Sequence, residues 1–141
     1  MKFKLFLILI IIGLHFATSC QVFTIKGKKI VEESNITYTQ GTAIGVVKIF
    51  IIELQNENYF AAVDLMLKEN GELLTASEKY EFTSDLARMK RYIEGKSLKK
   101  ESVDILLGNS VVTLEYENGS KVIFYTIEKN KLFYIINYKR E

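Results

Sequence analysis

Lys2 and Lys4 precede a run, Leu5 to Leu14, in which only Gly13 interrupts bulky apolar side chains, and the small residues Ala17, Thr18 and Ser19 follow. Positive, then apolar, then small is the order of a secretory signal peptide. The fifteen positions from Phe3 to Ala17 fall short of the roughly 20 apolar residues that a membrane-spanning helix needs. Residues 1–19 are therefore expected to be a cleaved leader. Residues 20–41 read as a tether, with weak alternation in "VFTIKGKKIVEE" predicting a small edge hairpin turned at Lys26-Gly27.

From Thr42 the period changes. Thr42 is a cap for a helix over Ala43–Gln55, in which Val46, Val47, Phe50, Ile51 and Leu54 recur at spacings of three and four. Ile44, Ile49 and Ile52 widen that apolar surface. "QNENYF" breaks the pattern, and a second helix is predicted from Tyr59 to Lys68 with Phe60, Val63 and Leu67 facing inward. A third is predicted after a cap at Thr83 or Ser84, with Leu86, Met89 and Ile93 inward and Gly95 as its stop.

The last third alternates with period two and carries three turn signals, Gly108-Asn109, Asn118-Gly119 and Lys129-Asn130. Taken as two-residue turns, they set Val103 opposite Leu114, Val112 opposite Tyr125, and Tyr125 opposite Tyr134. One face of the resulting four-stranded antiparallel meander then collects Val103, Ile105, Val112, Leu114, Tyr116, Ile123, Tyr125, Ile127, Leu132, Tyr134, Ile136 and Tyr138. The other face is polar except for Val111, Val122, Phe124, Phe133 and Ile135. That island is a candidate subunit or partner interface, since contiguous exposed apolar patches mark contacts. The fold class expected is α+β: three N-terminal helices packed on a curved four-stranded antiparallel meander, in a single domain.

Composition narrows the chemistry. Loss of Lys2 and Lys4 with the leader lowers the 19 basic residues to 17, matching the 17 acidic ones, so no surplus of charge favours nucleic acid. His15, the only histidine, leaves as well, and there is no tryptophan. Histidine-dependent triads, His/Cys zinc sites and thiol–imidazole nucleophiles are excluded by inventory. No metal or cofactor is expected. Among carboxylates, Asp64 borders the inward stripe of the second helix and is the candidate acid or base. Tyr116, Tyr125, Tyr134 and Tyr138 share the inward face as candidate pocket residues, whose hydroxyls need partners if buried. Glu115 and Glu117 share a strand face and are read as solvated, as is the basic run Arg88 to Lys100.

Cys20 is the only cysteine, and "ATSC" resembles the bacterial lipobox. The resemblance implies a diacylglycerol on the Cys20 thiol, cleavage just before it, and acylation of the new amino terminus. Ala17 stands where that pattern prefers leucine. Ala17 and Ser19 also suit an ordinary signal-peptidase site, under which Cys20 would be a lone thiol in an oxidising compartment. Lipidation accounts for a single retained cysteine, and the expected location is the bacterial cell envelope. Gln21 is not acidic, which by analogy with lipoprotein sorting points to the outer membrane, facing the periplasm.

"TAIGVVKIFIIELQNENYFAAVDLM" and the ending "YENGSKVIFYTIEKNKLFYIINYK" resemble the opening helices and final hairpins of nuclear-transport-factor-2-like domains. The resemblance spans residues 42 to 139 and implies a cone in which helices pack into a curved sheet, sometimes leaving a pocket. Proline after the cap and tryptophan in the last strand, frequent in that family, are replaced by Ala43 and by Phe133 or Tyr134. Two functions follow as expectations. The first is a lipid-anchored, non-catalytic binding or interaction module, with a homodimer, an envelope protein or a small apolar ligand as partner. The second is a small-molecule enzyme of isomerase or dehydratase type, using Asp64 and the pocket tyrosines.

Overall fold

The computed structural model describes residues 30–33 and 36–141; the leader, Cys20 and the Lys26-Gly27 pair lie outside them. Two short strands, β1 (Ile30–Glu33) and β2 (Ile36–Thr39), form an antiparallel ribbon. Three helices follow: α1 (Ala43–Gln55), α2 (Tyr59–Val63) and α3 (Ala76–Ile93). The chain ends in β3 (Leu98–Leu106), β4 (Asn109–Tyr116), β5 (Lys121–Lys129) and β6 (Leu132–Arg140), an antiparallel meander of order β3-β4-β5-β6. The arrangement is α+β, as the periodicities predict.

α1 begins where its cap places it: the Thr42 hydroxyl accepts from the Gly45 N–H at 3.0 Å. Val46, Val47, Ile49, Phe50 and Leu54 are wholly buried, and the helix lies over β4, β5 and β6. Phe50 meets Phe124 edge-on at 5.7 Å, and Tyr138 completes the cluster at 6.4 Å and 6.2 Å from the two rings. Truncating either phenylalanine to alanine would cost about 3–5 kcal/mol.

The other two helices differ from expectation. α2 stops at Val63 and not at Lys68, because Leu65 and Leu67 leave the helix to bond the edge of β6. The Ile135 N–H donates to the Leu65 carbonyl at 3.0 Å, and the Leu67 N–H donates to the Ile135 carbonyl at 2.9 Å. Phe60 is consequently exposed, while Val63 and Leu67 are buried. α3 is capped by Thr75, eight residues before Thr83, the earlier of the two expected caps. Thr75 and Glu78 form a reciprocal capping box there, and the first two turns extend past the core, so they show no apolar stripe. Leu86, Met89 and Ile93 are buried as predicted.

The sheet register also differs, for one main reason. The Asn118-Gly119 loop holds three residues, 117–119, with Tyr116 and Ser120 bonded across it and Gly119 at φ +84°. An odd loop reverses the faces of everything after it. Val122, Phe124 and Thr126 therefore face the helices, and Ile123, Tyr125 and Ile127 face away. The outer two turns each shift the pairing by two residues and preserve the faces. They fall at Leu107-Gly108 and Asn130-Lys131, with positive φ at all four positions, the geometry of type I′ turns. In β6, Phe133 and Ile135 point inward. A bulge at Ile136, between the pairs Thr126/Ile135 and Tyr125/Asn137, returns Tyr138 to the inner face opposite Phe124.

Gly45 links the ribbon to the helices. A Cβ on it would lie 2.0 Å from the Thr39 carbonyl oxygen. Gly45→Ala should gain about 1 kcal/mol in helix propensity yet lower the melting temperature, because backbone on both sides must separate. A thermal melt showing stabilisation would mean that α1 does not rest on β2.

Candidate functional site

The inward tyrosines were expected to line one mouth; they are divided among three places. Tyr125 pairs with Asn137, and Tyr134 with Ile127, on the outer face of the sheet. Tyr116 and Tyr138 face the helices but open onto separate hollows. Asp64 caps the end of α2 at the surface, its carboxylate 2.8 Å from the Lys79 ammonium, and lines neither hollow.

The larger hollow is a cleft of about 590 Å³ between α3, the connection from Met66 to Leu74, and β6. Tyr138, Phe82, Met66 and Leu74 form its apolar floor. Its rim is charged and mostly paired: Lys68 pairs with Glu78 at 2.8 Å, Arg88 pairs with Asp85, and Glu69 accepts from the Asn137 amide at 2.9 Å, while the Arg140 guanidinium lies over the Tyr92 ring at 5.7 Å. Burial, then the nearby Asp85 carboxylate, pushes the Tyr138 phenol above its usual value, so at neutral pH it is a proton donor and not a base. The smaller hollow, about 180 Å³, lies between α1, the end of α3 and the β3–β4 side of the sheet. Burial, and next the neighbouring Tyr92, raises the Tyr116 phenol too. The Lys96 ammonium sits 3.5 Å over the Tyr92 ring and donates to the Ser120 hydroxyl at 3.0 Å.

The candidate interface residues are also redistributed. Val122, Phe124 and Ile135 are wholly buried, and Phe133 packs against the same core, so none of the four lies on an exposed face. Val111 alone stays outside, paired with Tyr125. The apolar outer face is built from Val111, Ile123, Tyr125, Ile127 and Tyr134, each half-buried. Among the described residues no group of three or more His, Cys, Asp or Glu is arranged to hold a metal ion, and no helix is long and apolar enough to cross a membrane.

The most exposed apolar surface lies at the β3–β4 hairpin. The helices cover β4 to β6, and their last ionic reach towards β3 is the Lys48–Glu101 pair at 2.6 Å. Beyond it Val103 is half exposed, Ile105 is 81 % exposed and Leu106 is exposed. Leu107, at the tip, is 96 % exposed and holds φ +52°, a conformation that disfavours a bulky side chain. Sequence reasoning placed Val103 and Ile105 inside because period two reports which face a side chain shares, not whether a helix extends over it. Leucine at a type I′ position, where Asn or Gly is usual, was the signal that went unread. No family model matches the chain, and no curated protein or solved structure matches it.

Glu78 ties the cleft wall to the start of α3. Its carboxylate accepts from the Lys68 ammonium, the Thr75 N–H at 2.7 Å and the Thr75 hydroxyl at 2.8 Å. These bonds, that of Lys68 foremost, lower its pKa to about 2. The folded value lies below the unfolded one, so the stability it contributes is present above pH 4.5 and is lost as pH falls through about 2. Carboxyl NMR should place the Glu78 midpoint near that value, and Lys68→Met should raise it. A midpoint unmoved by Lys68→Met would assign the shift to the capping box alone.

Proposed function

We propose that the chain is a lipid-anchored protein of the bacterial cell envelope whose domain is a non-catalytic interaction module, docking through the β3–β4 hairpin. Leu107 carries this reading: a leucine held in a disfavoured backbone region, with nearly all of its side chain in water. Local strain of order 1–2 kcal/mol together with an uncovered apolar side chain is a double cost for the isolated domain. Burial of that side chain against a partner would offset it. Val103, Ile105 and Leu106 continue the same patch along the strand, and such patches mark contact sites. The leader and Cys20 supply the envelope address and the lipid anchor in this reading.

Two substitutions test the two halves. Cys20→Ser should abolish incorporation of labelled palmitate and release the chain from the membrane fraction. Leu107→Asn suits the type I′ turn better and should leave the domain as stable or about 1 kcal/mol more stable. It should also shrink the complex that the wild-type chain forms on native gels of detergent-solubilised envelope. Labelling that persists without Cys20 would overturn the anchor. A wild-type chain migrating alone, or a complex indifferent to Leu107, would overturn the docking role.

A further inference from the structure

We infer that the partner at the β3 edge is a second copy of this chain, paired antiparallel strand to strand about a two-fold axis through Ser102. The inference rests on the interaction reading above and names its partner. The two edges of the sheet are unlike. β6 is covered, with Phe133 and Ile135 bonded to Gln40, Leu65 and Leu67. Among the described residues, β3 has β4 on one side and no strand on the other.

The backbone restricts how two β3 strands can meet. Leu106 and Asn109 flank a two-residue turn, so they form a hydrogen-bonded pair, and alternation turns Ser102 and Asp104 towards β4 with them. The N–H and C=O groups of Glu101, Val103 and Ile105 then point outward. Outward groups must face outward groups, so the two-fold axis passes through a residue and not between two residues.

Charge selects among the remaining axes. An axis at Glu101 sets Glu101 against itself, and one at Asp104 sets Asp104 against itself; like charges directly opposite are destabilising. An axis at Val103 sets Lys100 against Leu106 and Glu101 against Ile105. An axis at Lys100 sets Lys99 against Glu101 but also Lys100 against itself; the axis at Ser102 pairs opposite charges with no like pair, Lys100 of each copy facing Asp104 of the other. Ser102 is also the midpoint of the regular stretch Lys100–Asp104, so this register keeps the charged pairs clear of the bulge at Lys99 that turns Leu98 to the inner face beside Tyr116. On the inner face Glu101 is already matched by Lys48, and the two Val103 side chains become diagonal neighbours across the axis. The product is one continuous eight-stranded sheet with an isologous interface.

The test uses the full chain in a bacterial envelope. In this register two Ser102 residues oppose each other as a non-hydrogen-bonded pair, Cα atoms about 4.5 Å apart, within disulfide range. Ser102→Cys should give a reducible dimer on oxidation, about tenfold above the parent chain and above Asp104→Cys, whose cysteines would lie roughly 13 Å apart. Lys100→Asp or Asp104→Lys alone should weaken the native dimer about tenfold, and the double swap should restore it. Equal cross-linking at 102 and 104, or no rescue by the swap, would overturn the register and the proposal. Linkage of Ser102→Cys to a different envelope protein would overturn self-pairing while leaving the interaction module standing. A chain found alone, without cross-links, would overturn both.

Discussion

Glu117, Asn118 and Gly119 close the middle hairpin with three residues, and the parity of that number governs which side chains of the last two strands meet the helices. A two-residue loop would turn Ile123, Tyr125 and Ile127 inward and leave Phe124 in water. With three, Phe124 lies under Phe50, and the Phe50–Phe124–Tyr138 cluster joins α1 to the sheet. Gly119 makes the odd count affordable, since its φ of +84° suits the left-handed residue that ends such loops. The bulge at Ile136 is the necessary complement. It adds a second odd count within β6, so that both Ile135 and Tyr138 can face the same core.

This dependence on parity explains what was legible beforehand. α1 is local chemistry, a Thr cap followed by a helical stripe, and its bounds match residue for residue. Leu86, Met89 and Ile93 were legible for the same reason. The meander's order was legible because each turn bears its own Gly or Asn. Its register was not, because Asn118-Gly119 suits both a two-residue turn and the end of a three-residue one, and nothing nearby in sequence distinguishes them. α2 was misjudged because its last residues satisfy their backbone groups on β6, some seventy positions away. The early start of α3 was the avoidable miss: Thr75 and Glu78 spell a capping box, but no buried stripe accompanies them. The candidate sites suffered most. Tyr125 and Tyr134 follow the strand faces, and Asp64 follows the shortened helix, so each error in the fold carried into the site.

The two edges of the sheet show how one meander can close one end and open the other. At β6, backbone from two separate segments completes the ladder, which leaves no template for another strand there. At β3, two basic residues, Lys99 and Lys100, are followed by two acidic ones, Glu101 and Asp104, along a strand that no other described strand covers. Charges on an edge usually prevent pairing. Mixed charges do something narrower, since they penalise most alignments and tolerate few, and so turn an aggregation hazard into a selective contact.

Gln40 has a further consequence. Its main-chain carbonyl accepts from the Phe133 N–H at 2.8 Å while its side-chain amide donates to the Phe133 carbonyl at 2.9 Å. Gln40 lies just after β2 and just before the cap of α1. A pull delivered along the chain from its N-terminal side would therefore be shared between α1, against which Thr39 rests at Gly45, and the last strand of the sheet. Two bonds on one residue resist that force together. The sheet then acts as a lever held at the β6 side, with β3 at its far end. Of the two edges, β3 is the one that a force entering near Gln40 would load least.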